Sequence, residues 1–256
     1  MREIIQKIKI NVKLTYVLVG LNCILFVITS WLGSLTYGNQ EVALLIMGGG
    51  YTPYILQGQI WRLVTAEFLH GNFIHLAFNM YALFVLGNYI ERFYGAKKLL
   101  TVYIITAIGA SIISIIGDFS AVWAGGVYAG ASISVGASGA VFGMIGLLIG
   151  NRFKKSTYEP KLDINTNQLL MIVFYNLLIG LGLNFTGGSI FIDNWAHFGG
   201  LASGLLLGIF FDTVNNFYQS KLKKAVEKGI IIGAWLIALA TLIAQTIYLF
   251  SNLLVV

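Results

Sequence analysis

Seven apolar runs, most of them of membrane-spanning length, constrain this chain more than any other feature. They lie at about 15–36, 73–90, 99–117, 136–151, 167–184, 195–213 and 229–252. The hydrocarbon core of a bilayer is about 30 Å thick and takes about 20 apolar residues of helix to cross. Runs of this kind predict an all-α, polytopic transmembrane helix bundle. The fourth is short and rich in glycine, so an alternative partition has six spans and one re-entrant segment. Charged residues make up only 10% of the 256, against about 25% in soluble domains. The 30 glycines suit closely packed membrane helices. Pro53 and Pro160 both fall in connections, and Cys23 is the sole cysteine, so no internal disulfide is expected. The first run is of spanning length and has no persuasive cleavage site, so no cleavable signal is expected.

The basic residues test this partition independently. Arg2, Lys7, Lys9 and Lys13 precede the first run; Arg92, Lys97 and Lys98 follow the second; Arg152, Lys154, Lys155 and Lys161 follow the fourth; Lys221, Lys223, Lys224 and Lys228 follow the sixth. Fifteen of the sixteen basic residues thus occupy alternate connections, and only Arg62 does not. The positive-inside rule then predicts a cytoplasmic N-terminus and an extracytoplasmic C-terminus in a multi-pass cell-membrane protein. The net charge of +6 therefore reflects topology and implies no nucleic-acid partner; the lipid bilayer is the expected surroundings. The expected organisation is a cytoplasmic N-terminal segment at 1–14, a six-helix core at 15–213, and a basic connection with a seventh helix at 214–256. That seventh helix reads as an appendage, since no polar cluster lies in it.

Three polar clusters interrupt the apolar runs: His75-Leu76-Ala77-Phe78-Asn79, Gly136-Ala137-Ser138-Gly139 and Ala196-His197-Phe198-Gly199-Gly200. Polar groups are expensive in a membrane and mark function. The second, fourth and sixth helices all enter from outside. All four side chains are therefore expected within one or two turns of the outer boundary, with His75 and Asn79 on one helical face. Glycines at 139, 143, 146 and 150, and at 200, 204 and 208, form smooth stripes on the fourth and sixth helices. Close packing of those stripes brings Ser138 towards His197. The bland alternative is that the stripes only assemble the bundle.

A serine hydroxyl becomes a nucleophile when a histidine removes its proton. Attack on an amide carbonyl makes an oxyanion, for which Asn79, His75 and the Ser138 backbone N–H are candidate donors. No acidic residue is well placed to orient His197, because Asp193 and Asp118 fall in outer loops; a dyad is expected. Phe142, one turn after Ser138, could restrain the imidazole or merely pack. His70 is expected at the water boundary, with a structural hydrogen bond, an ordering role or proton transfer open to it. No metal or cofactor is expected, since His70, His75 and His197 lack nearby carboxylate or thiolate ligands. Trp61-Arg62 is read as an interface anchor of the long first connection. Glu91-Arg92 is read as an ion pair or helix–helix bond.

With these pieces in order, the chain resembles the rhomboid family of intramembrane serine proteases. The resemblance rests on Trp61-Arg62, on His70, His75 and Asn79 in HGNFIHLAFNM, on Gly136-Ala137-Ser138-Gly139, and on His197, Gly200 and Gly204 in AHFGGLASG. Glu91-Arg92 also fits, and the match covers about residues 60–210. It implies a rhomboid-like six-helix core carrying an extra C-terminal helix. It further implies Ser138 as nucleophile, His197 as general base, and His75 and Asn79 as oxyanion-stabilising groups. Phe142 replaces the family's usual tyrosine, keeping the ring. The implied substrates are single-span membrane proteins cut near the outer ends of their helices, with small residues before the cut and no metal or cofactor required.

Two other readings use the same bundle. A non-catalytic binder of membrane proteins, acting in quality control or trafficking, needs no dyad. A transporter is expected to show paired broken helices or an inverted repeat, and neither is seen. The physiological substrate and the oligomeric state are not written in the residues.

Overall fold

The bundle is built around its shortest long helix. The computed structural model describes residues 13–36, 38–123, 133–154, 165–185, 192–213 and 220–253; the basic residues Arg2, Lys7, Lys9, Lys155 and Lys161 lie outside these. The long helices are α1 (Leu14–Leu35), α2 (Phe73–Tyr94), α3 (Ala96–Trp123), α4 (Ser138–Asn151), α5 (Thr166–Phe185), α6 (Asn194–Phe210) and α7 (Lys221–Leu253). Among the described residues there is no β-strand, only an isolated bridge between Gly50 and Ser134. Four helices, α1, α2, α3 and α7, contain apolar windows long enough to cross a membrane.

α4 has 14 residues, and every residue from Gly139 to Gly150 is buried. At 1.5 Å per residue it is about 21 Å long, about 9 Å short of a hydrocarbon core. A helix of that length cannot reach both membrane surfaces, so one of its ends lies within the bilayer's depth. The glycine stripes explain how it is enclosed. Gly146 and Gly150 lie against the carbonyls of Leu201 and Leu205 on α6, and Gly204 and Gly208 lie against those of Gly143 and Leu147 on α4. A methyl at any of these positions would push the two backbones apart. On its other side α4 packs on α3 through Gly143 and Thr106. Leu83, Ile90, Tyr94, Leu99, Val102, Tyr103, Met144 and Leu147 continue the core.

The remaining helices are tied on by specific polar bonds. Glu91, near the end of α2, accepts from the amides of Leu14 (2.8 Å) and Thr15 (2.9 Å) and from the Thr15 hydroxyl (2.6 Å). It therefore caps α1, satisfying first-turn donors that have no partner in their own helix. Of the two roles expected for Glu91-Arg92, this is the helix–helix bond; the Arg92 guanidinium lies over the Phe93 ring. α2 and α3 are joined through Gly95 alone, at φ +83°, a left-handed conformation that glycine adopts without steric cost.

α7 departs from the expected appendage. It starts at Lys221 rather than about 229, so Lys221, Lys223, Lys224 and Lys228 lie on its first turns and not in a connection. Buried Glu227 pairs with Lys98 (2.7 Å) and accepts from the amide of Asp212 (2.8 Å), while Asp212 pairs with Lys223 (2.6 Å). Towards the other end, Gln245 donates to the carbonyl of Ile46 (3.2 Å), and the Tyr248 ring lies 5.7 Å from Trp61.

The first connection folds into short helices at Gln40–Ile46, Thr52–Leu56 and Arg62–Thr65, followed by a 3₁₀ turn at Ala66–Phe68. Arg62 is wholly buried. It donates to the carbonyls of Leu45 and Gly49 (both 2.8 Å) and to Gln59 Oε1 (2.7 Å), with its guanidinium between the rings of Tyr54 and Tyr248. Arg62 is thus an internal staple of the loop, not an interface anchor. Five donors in a planar fork suit it to collecting carbonyls that a turn leaves unpaired.

Candidate active site

The segment before α4 descends onto the first connection. Gly50 and Ser134 exchange backbone hydrogen bonds (2.9 and 2.8 Å), and the Gly136 amide donates to the carbonyl of Ala66 (3.0 Å). Gly136 has φ +130°, and a Cβ there would lie 2.5 Å from His75 Cε1 and 2.6 Å from its Nε2. Glycine is required twice over, by backbone angle and by space. The chain then turns into α4, whose first residue is Ser138.

His197 lies in the first turn of α6, and its Nε2 is 2.9 Å from Ser138 Oγ. The structure therefore unites the hydroxyl and the imidazole from two separate helices. Ser138 is half-buried and His197 is buried. The Phe142 ring stacks on the imidazole, with centroids 4.2 Å apart and planes 7° from parallel. For Nε2 to accept from the hydroxyl, Nδ1 must carry the proton. Nδ1 is buried and has no hydrogen-bond partner among the described residues. Asp193 lies close by but is engaged elsewhere. It caps α6 by accepting from the Ala196 amide (2.9 Å), and it accepts from the hydroxyls of Ser134 (3.1 Å) and Ser114. Asp118 accepts from the Thr52 hydroxyl (2.6 Å).

His75 and Asn79 face the same floor from α2. Asn79 Nδ2 donates to the His75 carbonyl (3.0 Å) and stands 3.7 Å from where a Gly136 methyl would be. Asn72 caps α2 by accepting from the His75 amide (2.8 Å), which fixes the turn that carries the imidazole. His70 is not at a water boundary. It is wholly buried, its ring sits edge-on to His75 with centroids 5.1 Å apart, and its Nε2 accepts from the Ala137 amide (3.4 Å). Burial, and to a lesser degree the neighbouring His75, pushes its pKa down to about 3, so it stays a neutral acceptor. Gly200 lies against the Gly139 carbonyl and sets the spacing of α4 and α6 at the level of the dyad.

Glu67 is a site residue that motif reading passed over. Its side chain is buried, and Oε2 accepts from the Ala140 amide (2.9 Å) in the first turn of α4. Its own carbonyl accepts from the Tyr103 hydroxyl (2.8 Å). The signal for it was a lone acid in the apolar stretch Leu63–Leu69. Asp193 carried a signal too, the N-cap spacing of an acid three residues before Ala196. With Ala137 donating to His70 and Ala140 to Glu67, the first-turn amides left without a partner among the described residues are those of Ser138 and Gly139. The arrangement can move a proton from a serine hydroxyl to an imidazole, beside amide and ring donors able to hold a developing negative oxygen.

A family model described as the rhomboid domain matches residues 57–212. The rhomboid protease AarA of Providencia stuartii is 33% identical over 220 residues, which is 83% of this chain and 74% of that protein. RHOMBOID-like protein 4 of Arabidopsis thaliana is 35% identical over 172 residues, 67% of this chain and 39% of that protein. The rhomboid protease GluP of Bacillus subtilis is 34% identical over 190 residues, 74% of this chain and 33% of that protein. The chain thus spans well under half the length of the plant and Bacillus proteins.

Proposed function

The chain belongs to the rhomboid family, and from that premise we propose that it is an intramembrane serine endopeptidase acting on membrane-protein segments. The observation that carries this reading is the 2.9 Å approach of Ser138 Oγ to His197 Nε2 at the start of α4.

In the proposed reaction His197 Nε2 takes the hydroxyl proton as Ser138 Oγ bonds to the substrate carbonyl carbon. The carbonyl oxygen becomes an oxyanion facing the Ser138 amide, the Asn79 amide group and the His75 ring. The imidazolium then gives its proton to the leaving amine, and the C–N bond breaks, leaving an acyl-enzyme. Water, deprotonated by His197, attacks the ester, and the proton returns to Ser138. Each oxyanion donor is worth about 3–4 kcal/mol of barrier. A helical substrate shields its carbonyls by hydrogen bonding, so cleavage requires local unwinding and is favoured by helix-breaking residues near the cut. The alternation of basic residues supports a site near the outer face and a cytoplasmic N-terminus; single-span membrane proteins are proposed as substrates on the family resemblance alone. Substrate is proposed to enter beside α5. That helix meets the core through Leu169 and Val173, while Leu170, Met171, Phe174, Tyr175 and Leu178 are exposed.

The test is purification into liposomes with a single-span substrate, comparing wild type, Ser138→Ala and His197→Ala. Cleavage is expected from the wild type alone, with fluorophosphonate labelling of Ser138 as a substrate-independent check. Equal cleavage by Ser138→Ala would refute the mechanism. A protein that keeps a binding activity after Ser138→Ala, and never cleaves, would be the non-catalytic binder.

A further inference from the structure

Glu67 poses a physical problem that the proposed reaction does not use. Its carboxyl lies in the outer connection, outside the long helices, yet it is buried beneath the start of α4. Oε2 is 2.9 Å from the Ala140 amide, two residues along from the nucleophile, and the carboxyl lies against Gly139. Among the described residues no lysine or arginine pairs with it. Arg62, five residues away, donates instead to the carbonyls of Leu45 and Gly49 and to Gln59. The other groups that face it are the Tyr103 phenol from α3 and the Asp193 carboxyl at the start of α6.

We infer that Glu67 is a positioning residue that caps the nucleophile's helix as a neutral carboxylic acid, and that losing its proton slows the enzyme. The inference rests on the peptidase reading. α4 has no side-chain cap of its own, since Ala137 occupies that place, so the connection supplies one. A protonated carboxyl still accepts from the Ala140 amide through its carbonyl oxygen. An ionised one adds a unit negative charge two residues from Ser138. It does so in a poorly screened interior, where the oxyanion must also develop. Burial chiefly, opposed by the Ala140 hydrogen bond and aided by Asp193, pushes the Glu67 pKa up to about 8. The sign follows: the neutral, active form prevails below that value and is lost as pH rises through it.

The experiment compares pH profiles of kcat/KM for wild type, Glu67→Gln and Glu67→Ala in detergent, with the single-span substrate and with fluorophosphonate labelling of Ser138. Between about pH 7 and about pH 9 the wild type should lose about tenfold, the ratio of protonated fractions for an acid titrating near 8. Glu67→Gln keeps an acceptor that cannot ionise, and its rate should change less than about twofold over that range. Glu67→Ala, lacking the cap, should be slower at every pH. A parallel alkaline fall in Glu67→Gln would overturn the inference. Infrared difference spectra of wild type against Glu67→Gln provide a readout independent of activity. They should show a protonated-carboxyl band at neutral pH that disappears in alkali, and its absence at neutral pH would overturn the inference as well. If the wild type cleaves nothing at any pH, the peptidase reading fails, and the infrared band still decides the protonation of Glu67.

Discussion

Gly136→Ala is the sharpest probe of the proposed oxyanion site because its consequences can be worked from two structural features. The residue has φ +130°, which an alanine adopts only at a cost of about 1–3 kcal/mol. Its new methyl would lie 2.5 Å from His75 Cε1, against about 3.4 Å for ordinary contact, so the ring must retreat by about 0.9 Å. A displacement near 1 Å at a reacting centre costs about 100-fold in rate, close to the loss of one oxyanion donor. We therefore expect kcat/KM about 100-fold below wild type, expressed mainly in kcat, together with reduced thermal stability. Initial rates in liposomes and the rate of Ser138 labelling measure the first; a melting curve measures the second. The cause is isolated by a double-mutant cycle with His75→Ala. Once the ring is gone the methyl has room, and adding Gly136→Ala should cost less than about fivefold further in kcat/KM. If Gly136→Ala retains activity within about threefold of wild type, or if the two substitutions are fully additive, the placement of His75 against Gly136 has no bearing on catalysis.

Phe142→Ala removes the ring stacked on His197, an interaction worth about 0.5–1.5 kcal/mol. kcat should fall about two- to twelvefold while Phe142→Tyr stays near wild type, and equal rates in all three would show that the stack does not restrain the imidazole. Tyr248→Ala should lower both the melting temperature and the rate, because it strips a ring from Arg62 and Trp61 and loosens the loop that carries Glu67 and His70. An unchanged melting temperature would mean that α7 does not hold that loop. A disulfide engineered between α2 and α5, in a Cys23→Ser background, should slow turnover of a single-span substrate. Full turnover with the bond quantitatively formed would show that α5 need not move.

Long apolar runs and the spacing of charges were enough to delimit the helices, because both report directly on the solvent each segment meets. The start of α7 departs from the sequence expectation for a related reason. Lys221, Lys223, Lys224 and Lys228 read as a polar connection, but the helix continues through them, with Glu227 buried against Lys98 and Asp212. Ser138 and His197 were legible as a pair because glycine stripes predict which helix faces approach, and those stripes are where α4 and α6 touch. Arg62, His70 and Glu67 were not legible in their actual roles. Each acts from the first connection, a run of short helical turns, on backbone groups 13 to 73 residues away. No local periodicity encodes such a partner. The only trace in the sequence is a polar residue where an apolar one would have been easier to bury.

The site also has an electrostatic logic that follows from helix polarity. His75, Ser138 and His197 all lie in the first turn of their helices, so three helix N-termini converge on one site. Each N-terminus carries about half a positive charge, effective within about a turn. Their sum favours an oxyanion, but it opposes the imidazolium that forms in the proposed reaction when His197 takes the serine proton. The two carboxyls are placed so that this conflict can be resolved. Asp193 accepts from an amide and two hydroxyls at the start of α6, four residues from His197, which holds its carboxyl on the imidazole's side of the site. Glu67 meets one amide beneath Ser138, where an anion would work against the oxyanion. A carboxyl beside the base and a proton-bearing carboxyl beneath the nucleophile, as proposed for Glu67, is an arrangement that works against neither charge of the proposed transition state. Asp193→Asn should therefore slow proton transfer to His197 while leaving Ser138 in place, and Glu67→Gln should not imitate it.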